Sequence, residues 1–174
     1  RKAKAVNFGI VYGISAHGLG DSLGIGYAEA QLTIDRYFAA YPGVREYLDR
    51  TIAEAHKTGY AETLYGRRRP IPELRSSNYN LRSFGERTAM NHPMQGTAAD
   101  LMKLAMIEVD RRLAEEHFEA RMVLQVHDEL VFEAPPGELE RLSAMVREAM
   151  EGVAALSVPL EVSVGSGRNW AEAK

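Results

Sequence analysis

Ala120-Arg121-Met122-Val123-Leu124-Gln125-Val126-His127-Asp128-Glu129-Leu130-Val131-Phe132-Glu133-Ala134 holds two apolar, β-rich runs that meet at His127-Asp128-Glu129. The pattern predicts a hairpin with a charged tip. Asp is common in turns, so a plain polar turn is one reading. The tip, however, lacks the Gly or Asn that tight turns favour. Carboxylates fixed at a rigid sheet edge are what a hard divalent cation such as Mg²⁺ binds. Neighbours on a strand point to opposite faces, so Asp128 is the better metal-ligand candidate, and Glu129 joins it only if the turn bends them together.

On both sides of this hairpin the spacing predicts helices. After it comes a helix over about 137–152, then a strand over about 158–164, where Val158, Leu160, Val162 and Val164 alternate with other residues. Before it lies a long helical region over about 81–116, with an interruption expected near Pro93. Its second part carries the apolar stripe Leu101, Leu104, Ala105, Val109 and Leu113.

The first half reads as helix over 1–12 with Gly13 as its stop, then a short helix near 16–23 capped by Ser15. Helices over 27–41 and about 44–57 follow, separated by Pro42 and closed by Gly59. Tyr60 to Tyr65 is β-like, with Gly66 and Arg67-Arg68-Arg69 as its turn, and 73–80 is a polar loop. The expected class is α+β: a helical first part (1–80, with a short hairpin near 60–70), then 81–174 as an antiparallel sheet with helices on one face.

A chain of 174 residues builds one good core or two small ones. Its 45% hydrophobic and 26% charged content is that of an ordinary globular protein, and no apolar run reaches membrane-spanning length. There is no cysteine, so disulfides and thiolate metal sites are excluded, and a cytoplasmic location is expected. The net charge of -3 hides an asymmetry: residues 1–87 hold 13 Lys/Arg and 9 Asp/Glu, and residues 88–174 hold 8 and 15. A polyanion suits the first half and cations suit the second. The chain has no initiator Met and opens inside an expected helix, which reads as a segment of a longer protein.

The first helix carries Arg1, Lys4, Phe8 and Tyr12. Steps of four residues align Lys4, Phe8 and Tyr12 along one face. A cation followed by two rings forms a docking face for a nucleotide, with the charge on phosphates and the rings on sugar and base. The same spacing also suits an amphipathic helix with Phe8 and Tyr12 in the core. Arg87, Asn91 and Gln95 recur every four residues and suit a nucleic-acid groove or a solvated face. Arg67-Arg68-Arg69 suits a phosphate clamp or a solvated loop.

Three motifs resemble polymerase-I-type (family A) DNA polymerases, with the look of Thermus-type bacterial enzymes. Lys4-Ala5-Val6-Asn7-Phe8-Gly9-Ile10-Val11-Tyr12-Gly13 is similar to their fingers-helix motif. Gln125-Val126-His127-Asp128-Glu129 is similar to their palm metal motif, and Asn91 to Asp100 to the segment between them. Order and spacing agree over essentially the whole chain.

The resemblance implies fingers over 1–80 and part of a palm over 81–174. It implies template-directed addition of deoxynucleotides to a primer 3′-OH with release of pyrophosphate, in replication and repair. Lys4, with Arg1, would grip the incoming nucleotide's phosphates. Phe8 would pack on its sugar and base, and Tyr12 would cover the templating position. Asp128 would hold Mg²⁺, two ions in all, with Glu129 nearby. Arg87, Asn91, Gln95, Gln125 and His127 would touch primer or template. The implied partners are primer-template DNA and deoxynucleoside triphosphates, with no membrane and a monomeric parent. A Phe at position 8 implies discrimination against dideoxynucleotides.

The family's first metal-binding Asp lies in a strand upstream of the fingers helix and has no counterpart here, so the isolated chain is expected to be inactive. The expected geometry sets the cationic-aromatic ridge across a cleft from the acidic tip. Rival readings are a single-subunit phage-type RNA polymerase, a non-catalytic DNA-binding accessory subunit, and an unrelated nucleotide-binding module.

Overall fold

The computed structural model describes residues 2–173. The fold is α+β, with helices α1 Lys2–Val11, α2 Ala16–Leu23, α3 Tyr27–Ala40, α4 Pro42–Thr58, α5 Tyr79–Glu115 and α6 Leu139–Glu151. Strands β1 Tyr60–Glu62 and β2 Arg68–Pro70 form one antiparallel pair, and β3 Arg121–Val126 and β4 Glu129–Glu133 form another. Two compact units divide within α5, one up to Thr97 and one from Ala98 on.

The helix boundaries of the first unit follow from local chemistry. Gly13 takes φ +79 after α1, a left-handed conformation that glycine adopts without a Cβ clash. Ser15 then caps α2 by accepting from the Gly18 N–H at 3.2 Å, which satisfies one of the free donors of the first turn. Pro42 opens α4 rather than merely ending α3, because its missing N–H costs nothing in a first turn. Gly59 ends α4 at φ +82, with His56 and Lys57 in the last turn facing the negative end of the helix dipole.

Two apolar clusters hold this unit. Ala16, Leu19 and Ala30 are buried with Val6, Ile14, Leu23, Ile25 and Ile34 packed on them. Ala55, Ala61, Ile71, Leu74 and Ala89 form the second, which joins α4, the β1–β2 hairpin and α5. The Tyr37 hydroxyl donates to Asn7 Oδ1 at 2.7 Å and ties α1 to α3.

The second unit is a helix pair against a hairpin. Val109, Leu113, Leu142, Met145, Val146 and Ala149 interlock, with Phe118, Met122 and Phe132 laid on them. Glu138 accepts from the Glu119 and Ala120 N–H groups at 3.0–3.1 Å and so fixes the chain just before β3. Arg141 stacks on Phe118, 3.8 Å from the ring centroid.

Three expectations need correction. The helix does not break at Pro93: α5 runs unbroken through it. Pro93 has no N–H to give to the Ala89 carbonyl, but the chain on both sides is anchored. Ala89 is buried in the second cluster, His92 bonds the Arg67 carbonyl at 3.4 Å, and the Thr97 hydroxyl accepts from the Leu64 N–H at 2.9 Å.

The strand expected over 158–164 is absent among the described residues. The backbone groups of Val162 at its centre are taken by side chains of α6: the Val162 N–H donates to Glu151 at 2.9 Å, and Arg147 donates to the Val162 carbonyl at 3.3 Å. The segment follows α6 irregularly and pairs with neither β3 nor β4, so the antiparallel structure of this unit is a two-stranded hairpin.

The arginine run is not wholly a turn. Arg68 and Arg69 lie on β2, with Arg69 paired to Ala61, and Arg68 is held by Glu62 at 2.7 Å and by the Tyr60 ring at 4.7 Å.

Candidate functional site

The α1 residues stand as a ridge. Lys4 Nζ lies 5.5 Å from the Phe8 ring centroid, and the Phe8 and Tyr12 rings are stacked at 6.2 Å with 29° between their planes. Phe8 is 50% exposed and Tyr12 39%, so neither ring belongs to the core. The opposite face of α1 carries the anchor: Ile10 is 3% exposed. An aromatic pair left in water at the end of an anchored helix is poor packing and a good platform for a planar ligand. Arg1 lies outside the described residues.

The end of α1 is docked against α5. A Cβ on Gly13 would overlap Met90 Cε and stand 3.3 Å from Arg87 Cγ. The Met90 methyl is the far end of a flexible side chain and can yield, so the left-handed φ is the stronger bar to a larger residue here. This docking opens a groove of about 650 Å³ lined by Gly9, Tyr12, Ser83, Glu86, Arg87 and Met90, among others. Arg87 is aimed by the Ser83 hydroxyl at 2.9 Å. Tyr12 and Arg87, singled out separately from the sequence, thus share one groove. Ser83, Glu86 and Met90 were missed, although Ser83 and Met90, four before and three after Arg87, had a helical spacing that was the available signal.

Arg87, Asn91 and Gln95 do not form a uniform exposed face. Arg87 and Gln95 are exposed, but Asn91 is half-buried and its Oδ1 is fully buried without a hydrogen-bond partner among the described residues. A buried acceptor left unpaired costs about 1–3 kcal/mol and asks for a reason beyond stability.

Gln125, His127, Asp128 and Glu129 come together at the β3–β4 tip. Val126 pairs with Glu129, so the loop is the two residues His127 and Asp128, and Glu129 already belongs to β4. Two-residue loops need positive φ, usually supplied by Gly or Asn. Here His127 supplies it at φ +53, an uncommon conformation for such a side chain that costs on the order of 1 kcal/mol. The Gln125 side-chain amide donates to the His127 carbonyl at 2.6 Å. Gln125 reaches this turn because β3 has an irregularity between Met122 and Leu124, where an extra residue shifts the register.

Asp128 and Glu129 are exposed, and neither carboxylate has an ion pair or side-chain hydrogen bond among the described residues. Unpaired carboxylate oxygens on a fixed turn match the donor chemistry of Mg²⁺. No group of three or more His, Cys, Asp or Glu able to hold a metal ion occurs among the described residues, and the tip by itself offers two carboxylates. The ridge and the groove belong to the first compact unit and the acidic tip to the second.

Residues 1–172 match the family described as DNA polymerase family A. The chain is 55% identical over its whole length to DNA polymerase I of Geobacillus stearothermophilus, and equally to that of Bacillus subtilis. It spans about a fifth of the length of these curated relatives, 20% in each case. A solved structure described as the POL domain of Pol1 from M. smegmatis, in complex with DNA primer-template and dNTP, superposes with a TM-score of 0.96 at 48% identity. That superposition covers 99% of this chain and 30% of the other. With a family match over nearly every residue, this chain belongs to DNA polymerase family A.

Proposed function

We propose that this chain supplies the fingers, residues 1–80, and part of the palm, residues 81–174, of a DNA-directed DNA polymerase. The reaction is attack of a primer 3′-OH on the α-phosphate of a deoxynucleoside triphosphate, directed by a template, with pyrophosphate leaving. The observation that carries this reading is the exposed Lys4-Phe8-Tyr12 ridge. A core helix has no use for two stacked rings and a cation in solvent. A triphosphate with a sugar and a base has a use for all three.

In this reading Lys4 and Arg1 hold the phosphates, and the Lys4 ammonium offsets charge that builds on the departing pyrophosphate. Phe8 packs against the sugar and base. Tyr12 covers the templating position, with Arg87 beside it in the same groove. Asn91, Gln95, Gln125 and His127 contact primer or template, chiefly through base edges and backbone. Asp128 holds Mg²⁺, with Glu129 adjacent and further oxygen donors from beyond this donor set. Two bound Mg²⁺ ions would supply Lewis acidity and charge neutralisation at the phosphates.

Primer extension by the intact protein tests the reading. Four templates that differ only in the templating base are each offered deoxynucleotides or ribonucleotides. Template-directed use of deoxynucleotides is expected. Ribonucleotide preference would move the protein to the RNA-polymerase class, and failure to extend at all with intact DNA binding would leave an accessory role. In this reading the 174-residue chain on its own shows no extension, because Asp128 and Glu129 supply only some of the oxygen donors that two Mg²⁺ ions need.

A further inference from the structure

The β3–β4 tip contains a conflict that its sequence does not resolve by the usual means. A two-residue loop demands left-handed backbone, and the residue placed there is His127, at φ +53, with no Gly or Asn in the loop. Such a conformation persists only where its surroundings over-determine it. Gln125, His127, Asp128 and Glu129 are all exposed, with Val126 and Leu130 half-buried beside them, so packing on the turn itself is slight. One side chain closes the loop, the Gln125 amide, which donates to the His127 carbonyl at 2.6 Å. The His127 carbonyl is part of the peptide that leads into Asp128, so this bond fixes the plane from which the Asp128 side chain departs.

A second feature sets up the first. β3 pairs Met122 with Phe132 but Leu124 with Val131, so Val123 is an extra residue. A shift of one residue moves every following side chain to the other face of a strand. The irregularity therefore decides which face Gln125 occupies, and it is the face on which residue 127 can be reached. The sequence separation of two and the shared face make the contact local, independent of how the two units are arranged.

We propose that Gln125 is a positioning residue for the metal-binding turn: by holding the His127 carbonyl it keeps the strained loop in the form that aims the Asp128 carboxylate. One Gln125 amide hydrogen is committed within the hairpin, and the other, with the side-chain oxygen, stays open to DNA, so the two roles are compatible and are read by different measurements. The positioning role rests on the reading of Asp128 as a Mg²⁺ ligand.

The test is Gln125→Met in the intact protein, a change that keeps length and shape and removes the donor. Three readouts separate the outcomes. Hydrogen exchange of the 121–133 peptide, in protein free of metal and DNA, should become several-fold faster at the tip. The Mg²⁺ concentration for half-maximal single-turnover extension, at saturating primer-template and deoxynucleotide, should rise at least threefold. The primer-template Kd measured without metal reads the separate DNA contact of Gln125 and sets the concentration that keeps primer-template saturating in the Mg²⁺ titration.

An unchanged exchange rate and Mg²⁺ midpoint, with weakened DNA binding, would overturn the proposal and leave Gln125 as a DNA contact alone. Faster exchange at the tip with an unchanged Mg²⁺ midpoint would also overturn it, because the turn would then be held without consequence for the metal. If the unsubstituted protein extends no primer, the polymerase reading fails by that result, while the exchange experiment still reports on the turn.

Discussion

Lys4 Nζ stands 5.5 Å from the centre of the Phe8 ring, so the cation and the first aromatic surface of α1 form one continuous platform. A cation over a ring face at an exposed position is worth about 0.5–1 kcal/mol, too little to explain the arrangement by stability. A nucleoside triphosphate, as proposed above, gives the pair a use. Lys4→Ala in the intact protein should weaken deoxynucleotide binding and slow single-turnover incorporation by at least tenfold, with thermal stability within about 0.5 kcal/mol of the parent. Pre-steady-state kinetics over a range of nucleotide concentrations measures both effects, and an unchanged rate and affinity would remove Lys4 from the site.

Gly13 carries a steric prediction. Its φ of +79 disfavours any side chain, and an added Cβ would also have to push the Met90 methyl aside. Gly13→Ala should lower unfolding free energy by about 1–3 kcal/mol and reduce incorporation by displacing Tyr12 from the shared groove. Denaturant titration alongside kinetics checks this, and a neutral effect on both would show that α1 is not seated on α5 as described.

Asn91 should show stability and function pulling apart. Its Oδ1 is buried with no partner among the described residues. Replacing an unpaired polar group by an apolar one of similar shape removes a desolvation cost. Asn91→Leu should therefore leave stability unchanged or raise it by about 1 kcal/mol, while primer-template binding weakens. A stability loss above 2 kcal/mol would mean that the oxygen is satisfied after all.

Helix α5 carries a modest acid sensitivity. The Arg111 guanidinium, which donates to Glu108 at 2.6 and 3.0 Å, holds the Glu108 carboxyl below the usual carboxylate range. A depressed folded-state pKa gives stability that is present above the unfolded value and is lost as pH falls through the folded one. Glu108→Gln should thus flatten the fall in thermal midpoint on the acid side of the carboxylate range and change little at neutral pH. The pair is solvent-exposed, so 0.5 M salt should erase most of the difference.

Much of this molecule is legible because its signals are local. Ser15, Pro42 and Gly59 mark helix ends by capping chemistry that acts within a turn, and all three do so here. The ridge on α1 follows from a spacing of four, although spacing alone left Phe8 and Tyr12 divided between core and solvent. Pro93 misled because its cost is local while the compensation is not: Ala89, His92 and Thr97 are held by residues from the β1–β2 hairpin and its surroundings.

The segment 158–164 misled for a related reason. Alternation of valines reports a preference for strand, but a strand needs a partner ladder, and Glu151 and Arg147 answered its backbone first. The hairpin at 120–134 was readable from its apolar arms. The positive φ of His127 and its bond to Gln125 were not, since neither residue type announces such a turn.

The proposed polymerase chemistry stands or falls on Asp128. Single-turnover primer extension by intact Asp128→Ala protein, with primer-template affinity measured in parallel, tests it most directly. Extension should fall by a factor of 10³ or more, on the order of 4 kcal/mol in the barrier, with DNA affinity within twofold of the parent. Extension within tenfold of the parent rate would contradict it.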